Sequence, residues 1–307
     1  WSGWFEESGL DRGDRLLVSA VPCRSFVALL FGAIHAGVVV VPVSTSASPR
    51  ELVQFADDCA PTLIILHDAI APAVTARHGV VISWEDAKKK SIGNRKTGDS
   101  EVLGDDDDPP AFLIYTSGST GLPKGVVCDP VQVVFSLDAI SKRLRYLPTD
   151  IVYCVLPLSF DYGLYQVFLC VAAGAHLILD EIRTKPLSVR KLGKVAATIL
   201  PAVPSMLRVL VEASRRGFEQ PSLRLITNTG EALSPQLQRH LAQLFPEATF
   251  ALMYGLTECK RASIGLFKAS DLPTASVGSP LDGTWVGAVE GTGMQLPPGA
   301  VGELAVI

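Results

Sequence analysis

Apolar positions along this chain switch repeatedly between short continuous runs and stretches of helical period, and that switching predicts its elements. Residues 13–19 read as a turn and an apolar strand. Residues 26–43 carry no charge over eighteen positions, long enough to raise a membrane span. Gly32, His35, Gly37 and Pro42 interrupt that run, so it divides into a buried helix over 25–36, a stop at Gly37 and a buried strand over 38–43. Ser48-Pro49-Arg50-Glu51 is a capping box with proline at the first helical position, which predicts a helix to about Cys59. Short strands follow at 62–66 and 80–83.

Residues 87–110 change character, with three lysines, a Gly-Asn-Arg-Lys-Thr-Gly-Asp stretch and four consecutive aspartates, Asp105 to Asp108, before two prolines. Four aspartates are a possible divalent-metal tract. Adjacent like charges repel and prolines oppose compact structure, so a solvated linker is the expectation. Beyond it come strands at 111–115 and 126–127, a helix over 129–145 and a strand over 151–156. Helices are expected at 164–173, 186–194, 203–216 and from Ser234 to about Phe245, with strands at 176–179, 198–200, 223–227 and 249–253. After Lys268 prolines and glycines increase, helices fade, and short strands such as 302–307 mark a β-rich part. The expectation is an α/β protein. It has two doubly wound subdomains with helices on both faces, over 1–104 and 105–270, and the beginning of a smaller β-rich subdomain over 271–307. In such sheets ligands bind beyond the carboxyl ends of the strands.

Composition narrows the function. A chain of 307 residues, 48% hydrophobic and 19% charged, can bury a large core and is not a disordered chain. Its net charge of −4 gives no basic footprint, so nucleic acid is not an expected partner. The six cysteines, Cys23, Cys59, Cys128, Cys154, Cys170 and Cys259, form no C-x-x-C pair or Cys/His cluster, and they read as reduced thiols of a cytoplasmic enzyme. His35, His67, His78, His176 and His240 have no triad or metal spacing. No signal peptide is visible, and Trp1 is not a natural start, which implies a trimmed N-terminus.

The densest chemistry lies in Tyr115-Thr116-Ser117-Gly118-Ser119-Thr120-Gly121-Leu122-Pro123-Lys124-Gly125, between two strand-like flanks. Glycines let backbone N–H groups turn inward as an anion nest, the hydroxyls add short donors, and Lys124 adds a positive charge for a phosphate oxygen. The spacing is not G-x-x-x-x-G-K-[ST], so this is no Walker A loop, yet a nucleoside triphosphate is the expected ligand. This stretch resembles the signature of the acyl-adenylate-forming superfamily, which includes acyl-CoA synthetases, firefly luciferase and the adenylation domains of nonribosomal peptide synthetases. Further matches occur in the family's order, so the resemblance covers about residues 13–307.

The resemblance implies ATP, Mg²⁺, a small-molecule carboxylic acid and a thiol acceptor, either CoA or the phosphopantetheine arm of an acyl or peptidyl carrier protein. Thr116, Ser117, Gly118, Ser119, Thr120, Gly121 and Lys124 would hold the β- and γ-phosphates. Thr229-Gly230-Glu231-Ala232 follows a strand and precedes a helix capped by Ser234, and its small residues let a flat ring approach the backbone. In the family this turn helps hold adenine, which gives Gly230, Glu231 and Ala232 that role and places Thr229 at the pocket. Tyr254-Gly255-Leu256-Thr257-Glu258 matches the family's Y-G-x-T-E motif. It implies Tyr254 as a stacking face beside Gly255, Thr257 as donor to the α-phosphate and Glu258 as a Mg²⁺ ligand. Catalysis would thus fall to Thr257, Glu258 and Lys124.

Pro157-Leu158-Ser159-Phe160-Asp161-Tyr162-Gly163 stands where the family carries an acyl-pocket motif. Many acyl-CoA synthetases have histidine at the position of Phe160, whereas amino-acid-activating members show Phe-Asp, with the aspartate on the substrate's α-amine. Asp161 is therefore either an ammonium ligand or the N-cap of a helix beginning near Gly163. Phe160 and Tyr162 would wall the pocket. Cys259-Lys260-Arg261 departs from the family pattern, and its two cations would meet a substrate carboxylate, a triphosphate or solvent.

The chain stops before the family's Thr-Gly-Asp motif, hinge and small C-terminal domain with its catalytic lysine, so a large-domain fragment of low activity is expected. A rival is a phosphotransferase, since Asp161-Tyr162-Gly163 is similar to the Asp-Phe-Gly metal motif of kinases. No His-Arg-Asp loop, V-A-I-K strand or Ala-Pro-Glu accompanies it. A third reading is a non-catalytic acyl-binding module.

Overall fold

The computed structural model describes residues 1–67, 79–92, 108–116, 124–180, 187–217 and 221–307. They form two compact units, Trp1–Phe135 with Pro157–Leu164, and Ser136–Leu156 with Tyr165–Ile307.

The first unit begins with α1 (Ser2–Glu7), whose Trp4 and Phe5 are buried, a helix the sequence pattern did not predict. Strand β1 (Arg15–Ser19), helix α2 (Arg24–His35), strand β2 (Val39–Val43), helix α3 (Pro49–Cys59) and strand β3 (Leu63–Leu66) follow. Next come β4 (Val80–Ser83), α4 (Trp84–Ile92), β5 (Phe112–Thr116) and β6 (Lys124–Cys128). The sheet order is β4-β3-β1-β2-β5-β6, parallel throughout except for the antiparallel β5–β6 pair. Buried on both faces, β2 and β3 read Val-Val-Val-Pro-Val and Leu-Ile-Ile-Leu rather than alternating. The capping box forms as expected: Ser48 Oγ accepts from Glu51 N at 3.3 Å and Glu51 Oε2 accepts from Ser48 N at 2.8 Å. Helix α3 buries Leu52 and Ala56 against Leu17, Val41 and Ile64 of this sheet.

Two expectations shift here. The stretch read as linker from Ala87 is helical to Ile92, because Trp84 and Ala87 give α4 a buried face. The division at 104/105 also moves, since β5 pairs with β2 and so brings the hairpin flanking the glycine-rich loop into the first sheet. Of the four aspartates, Asp108 lies among the described residues and pairs with Arg12, while 105–107 lie outside them.

In the second unit α5 (Pro130–Leu144) leads to β7 (Ile151–Cys154), α6 (Asp161–Ala173), β8 (His176–Leu179), α7 (Val189–Lys194) and β9 (Ile199–Ala202). Then come α8 (Pro204–Arg215), β10 (Leu225–Asn228), α9 (Pro235–Leu244), β11 (Thr249–Tyr254), β12 (Ser263–Lys268) and β13 (Ser279–Pro280). Both α5 and α6 begin in residues of the first unit. The sheet order is β13-β12-β11-β10-β9-β7-β8, parallel from β11 to β8, with β12 and β13 antiparallel at one edge. The late β-rich segment contributes β14 (Val286–Val289) and β15 (Glu303–Val306) as a two-stranded antiparallel ribbon. Among the described residues no helix is long and apolar enough to cross a membrane, and 26–43 forms α2 and β2 instead.

One carboxylate ties the amino ends of three neighbouring strands. Asp150, 2% exposed, accepts from Leu147 N at 2.7 Å, Thr198 Oγ1 at 2.8 Å and Arg224 Nε at 2.6 Å, immediately before β7, β9 and β10. Burial raises its pKa, but the Arg224, Leu147 and Thr198 donors outweigh that and hold the carboxyl below its ordinary range. A depressed folded pKa contributes stability above the unfolded value, and that contribution is lost as pH falls through the folded one. Asp150→Asn should therefore cost roughly 3 kcal/mol at neutral pH, the low end for a broken buried pair because Arg224 keeps contact with water. In urea melts of the two proteins that difference should shrink below about pH 4; a pH-independent difference would show that charge plays no part.

Candidate functional site

On the first unit, β5 and β6 pair in register from Phe112↔Cys128 to Thr116↔Lys124, so the loop expected to hold phosphates joins two paired strand ends. Thr116 is half-buried and Lys124 exposed at that end. Ser117, Gly118, Ser119, Thr120 and Gly121 lie outside the described residues. The hairpin is anchored near its loop end by Tyr115, which the sequence reading left without a role. Its ring packs against Phe55 of α3 in a tilted arrangement with centroids 4.5 Å apart, and its hydroxyl donates to Asp58 Oδ2 at 2.6 Å. Burial, then the bond to Asp58, push the phenol's pKa far up, so it stays a neutral donor.

Phe160, Asp161 and Tyr162 also belong to this unit. The helix expected from Leu164 starts at Asp161, with Phe160 O accepting from Leu164 N at 2.9 Å. Asp161 is thus the first helical residue rather than the cap of a helix near Gly163. Residues 161–170 are buried all round the helix, with Asp161 at 2% and Tyr162 at 1%, while Phe160 is 38% exposed. A carboxylate in a first turn gains from the helix N-terminus.

The second unit brings the other two motifs side by side. Adjacent parallel strands β10 and β11 pair Asn228 with Leu252, so the 229–232 turn and the 254–258 turn both leave the sheet at its carboxyl edge. Thr229 is buried and Gly230, Glu231 and Ala232 are exposed, with Gly230 at φ +88°, where a side chain would strain the turn. Ser234 caps α9 by accepting from Leu237 N at 3.3 Å, as the sequence predicted. Ala232 lines a largely apolar, half-open pocket of about 330 Å³ with Asn228, Leu252, Met253 and residues 273–277. Gln238 of α9 holds this last segment: its Nε2 donates to Thr274 O at 2.9 Å and its Oε1 accepts from Thr274 N at 2.8 Å. Nothing in a lone glutamine on a helix announces this.

In the 254–258 turn Tyr254 and Gly255 are half-buried, Thr257 is buried and Glu258 exposed. The motif glycine has a steric cause. A Cβ there would sit 2.0 Å from Lys260 O and 2.9 Å from Arg261 Cα, both backbone. Lys260 and Arg261, left between anion and solvent by the sequence, are buried. No group of three or more His, Cys, Asp or Glu side chains suited to a metal occurs among the described residues. Glu258 is instead an exposed single carboxylate, the kind of ligand Mg²⁺ takes together with phosphate oxygens and water, so the residue present fits a nucleotide-borne ion. The thiols are free, and burial pushes Cys154 and Cys170 up to about 12 and Cys59 up to about 11, which makes them poor nucleophiles.

Comparison with known proteins bears on the family and the fold. The chain belongs to the AMP-binding enzyme family, whose model matches residues 2–307. It is 30% identical over 307 residues to a plipastatin synthase polypeptide of Bacillus subtilis (strain 168), covering 98% of this chain and 12% of that protein. It is 27% identical over 316 residues to fatty acid–[acyl-carrier-protein] ligase ScoC of Streptomyces coeruleorubidus, covering 98% and 60%. The chain thus spans less than two thirds of either relative. The crystal structure of VinN is 37% identical with a TM-score of 0.86, over 99% of this chain and 78% of that one, and VinN has also been solved with L-aspartate.

The close approach at Gly255 makes a direct test. Gly255→Ala should destabilise the second unit by roughly 1–3 kcal/mol, because only backbone can move aside. A thermal melt indistinguishable from wild type would show that the turn has room for a side chain.

Proposed function

We propose that this chain is the nucleotide- and acid-binding part of an adenylating ligase that activates a carboxylic acid and passes it to a thiol. The observation carrying the reading is the pair of turns at the carboxyl edge of β10 and β11, in a chain matching the AMP-binding family along its length. The acid's carboxylate attacks the α-phosphorus of ATP, the bond to pyrophosphate breaks, and an acyl-adenylate forms. A thiol then attacks the acyl carbon and AMP departs. These residues act by position and charge: negative charge spreads over phosphoryl oxygens in the transition state, and fixed donors stabilise it.

Thr116, the glycine-rich loop and Lys124 take the β- and γ-phosphates. Thr257 donates to the α-phosphate, while Gly230, Glu231, Ala232 and Tyr254 hold adenine. Glu258 would hold Mg²⁺, which when bound neutralises phosphate charge. The thiol is CoA or a carrier protein's phosphopantetheine; the names of the acyl-carrier-protein ligase and the peptide synthase relatives favour the carrier. Free thiols and dependence on ATP suit the cytoplasm.

An amino acid is the favoured substrate, supported by the burial of Asp161 and by the VinN complex with L-aspartate. Asp161 receives the ammonium, and Phe160 and Tyr162 shape its surroundings. The fatty-acid ligase name supports a plain acid instead.

Two measurements on the full-length protein test these roles. Glu258→Gln keeps the shape and removes the charge, so ATP–pyrophosphate exchange should fall and need more Mg²⁺; Lys124→Ala should raise the KM for ATP. Wild-type kinetics in both would remove these groups from the reaction. Asp161→Asn should cost an amino acid roughly 3–5 kcal/mol, the penalty of a buried unpaired charge, while sparing its des-amino analogue. Equal exchange with both acids, unchanged by the substitution, would leave a plain carboxylic acid as substrate.

A further inference from the structure

Helix α8 connects β9 to β10 and helix α9 connects β10 to β11, and right-handed crossovers between these parallel neighbours put both helices on one face of the second sheet. Along their seam runs an open groove of about 310 Å³. Its wall on α8 is Arg208, Val211, Glu212 and Arg215, the spacing of one helix face, and Ser234, Leu237 and His240 stand opposite on α9 and its cap. Val211 and Leu237 are buried and form an apolar floor, while Arg208, Glu212 and Arg215 are exposed. The charge along this wall is unbalanced. Glu212 is its one carboxylate, and it already serves Arg215 at 3.8 Å and Arg216 at 3.3 Å. Arg208 has no carboxylate partner among the described residues. A lone exposed arginine is ordinary surface, but here two of them frame a concavity in a chain of net charge −4.

The spacing of the charges selects the occupant. Arg208 and Arg215 lie two helical turns apart, about 10 Å along α8, with the Glu212 carboxylate between them. A compact polyanion needs converging cations and would meet the repulsion of Glu212. Carboxylates two turns apart on a partner helix match the two guanidinium groups instead, and apolar residues between them cover Val211 and Leu237. The groove opens at Ser234, two residues past Ala232, so a partner seated there stands beside the turn expected to hold adenine. We propose that the α8–α9 groove docks an acidic, amphipathic helix of the carrier protein that presents the thiol. The proposal rests on the adenylation reading above, with a carrier as thiol donor, and names the surface that receives it.

The test separates the two half-reactions of the full-length protein. ATP–pyrophosphate exchange needs no acceptor, whereas transfer is followed with three thiols: a holo carrier protein, CoA and free pantetheine. The double variant Arg208→Glu/Arg215→Glu should leave exchange and transfer to pantetheine within about twofold. It should raise the KM for the carrier protein about tenfold or more at an unchanged kcat, since the contact acts on encounter and not on chemistry. In wild type that KM should rise with added salt, and the variant should lose most of the dependence. Arg208→Lys/Arg215→Lys, which keeps the charge, should stay close to wild type and so separates lost charge from lost fold. An unchanged KM for the carrier in the charge-reversed protein, or an equal loss with pantetheine, would overturn the proposal. A loss with CoA but not with the carrier would make the groove a phosphate site and overturn it as well. A protein that exchanges pyrophosphate yet loads only CoA would remove the docking surface and leave adenylation intact; exchange with no acid of a broad panel would sink both.

Discussion

The second sheet depends on a carboxylate at the end opposite its chemistry. Asp150 gathers a backbone N–H, a hydroxyl and a guanidinium at the amino ends of β7, β9 and β10. Parallel strands have no hairpin to set their stagger, so side-chain bonds of this kind help fix it. The stagger matters at the other edge. With Asn228 opposite Leu252, the chain leaves β10 and β11 at nearby heights, and the 229–232 and 254–258 turns lie at one edge. A slip of one residue would turn every side chain of the strand to the other face.

Rigidity and strain divide within the 254–258 turn. Its supports are regular: β11 is paired on both sides, by β10 and β12. Its own backbone is not, with a left-handed lysine and a glycine against a carbonyl. Such a conformation persists where the surroundings over-determine it, which is the ordinary circumstance of a ligand-handling turn. The hairpin on the first unit is built differently. Tyr115 clamps its loop end to α3 through a ring contact and a phenol that remains protonated, which fixes Thr116 and Lys124 at paired strand ends.

Much of this was legible from the chain because buried parallel strands write themselves as unbroken apolar runs. The capping box at Ser48 and the cap at Ser234 were equally plain, since local bonds are made by neighbours in sequence. What escaped depends on distant partners. Helix α4 looked like linker because its charged residues outnumber its apolar positions, and the burial of Trp84 and Ala87 is what the sequence pattern did not show. The first sheet ran past the expected boundary at 104 because the composition shift marks a polar connection, not the strand that β2 recruits beyond it. The helix expected to begin near Gly163 starts at Asp161, since a glycine in a first turn costs little when the rest of the helix is buried.

Asp161 and the Lys260–Arg261 pair show why burial is harder to read than a motif. The reaction is written in motifs whose spacing is local: a glycine-rich hairpin, a small turn after one strand, a five-residue turn after the next. Selectivity is written in burial. An aspartate before a glycine looks like a cap, and a Lys-Arg dipeptide looks like solvated surface; neither reveals in sequence that it lies under the surface of the fold. Burial changes the meaning of each charge, because a group exposed to water discriminates little, whereas one withdrawn from it penalises any ligand that fails to match. Three charges of this chain that sit within three residues of a family motif or inside one are withdrawn in this way.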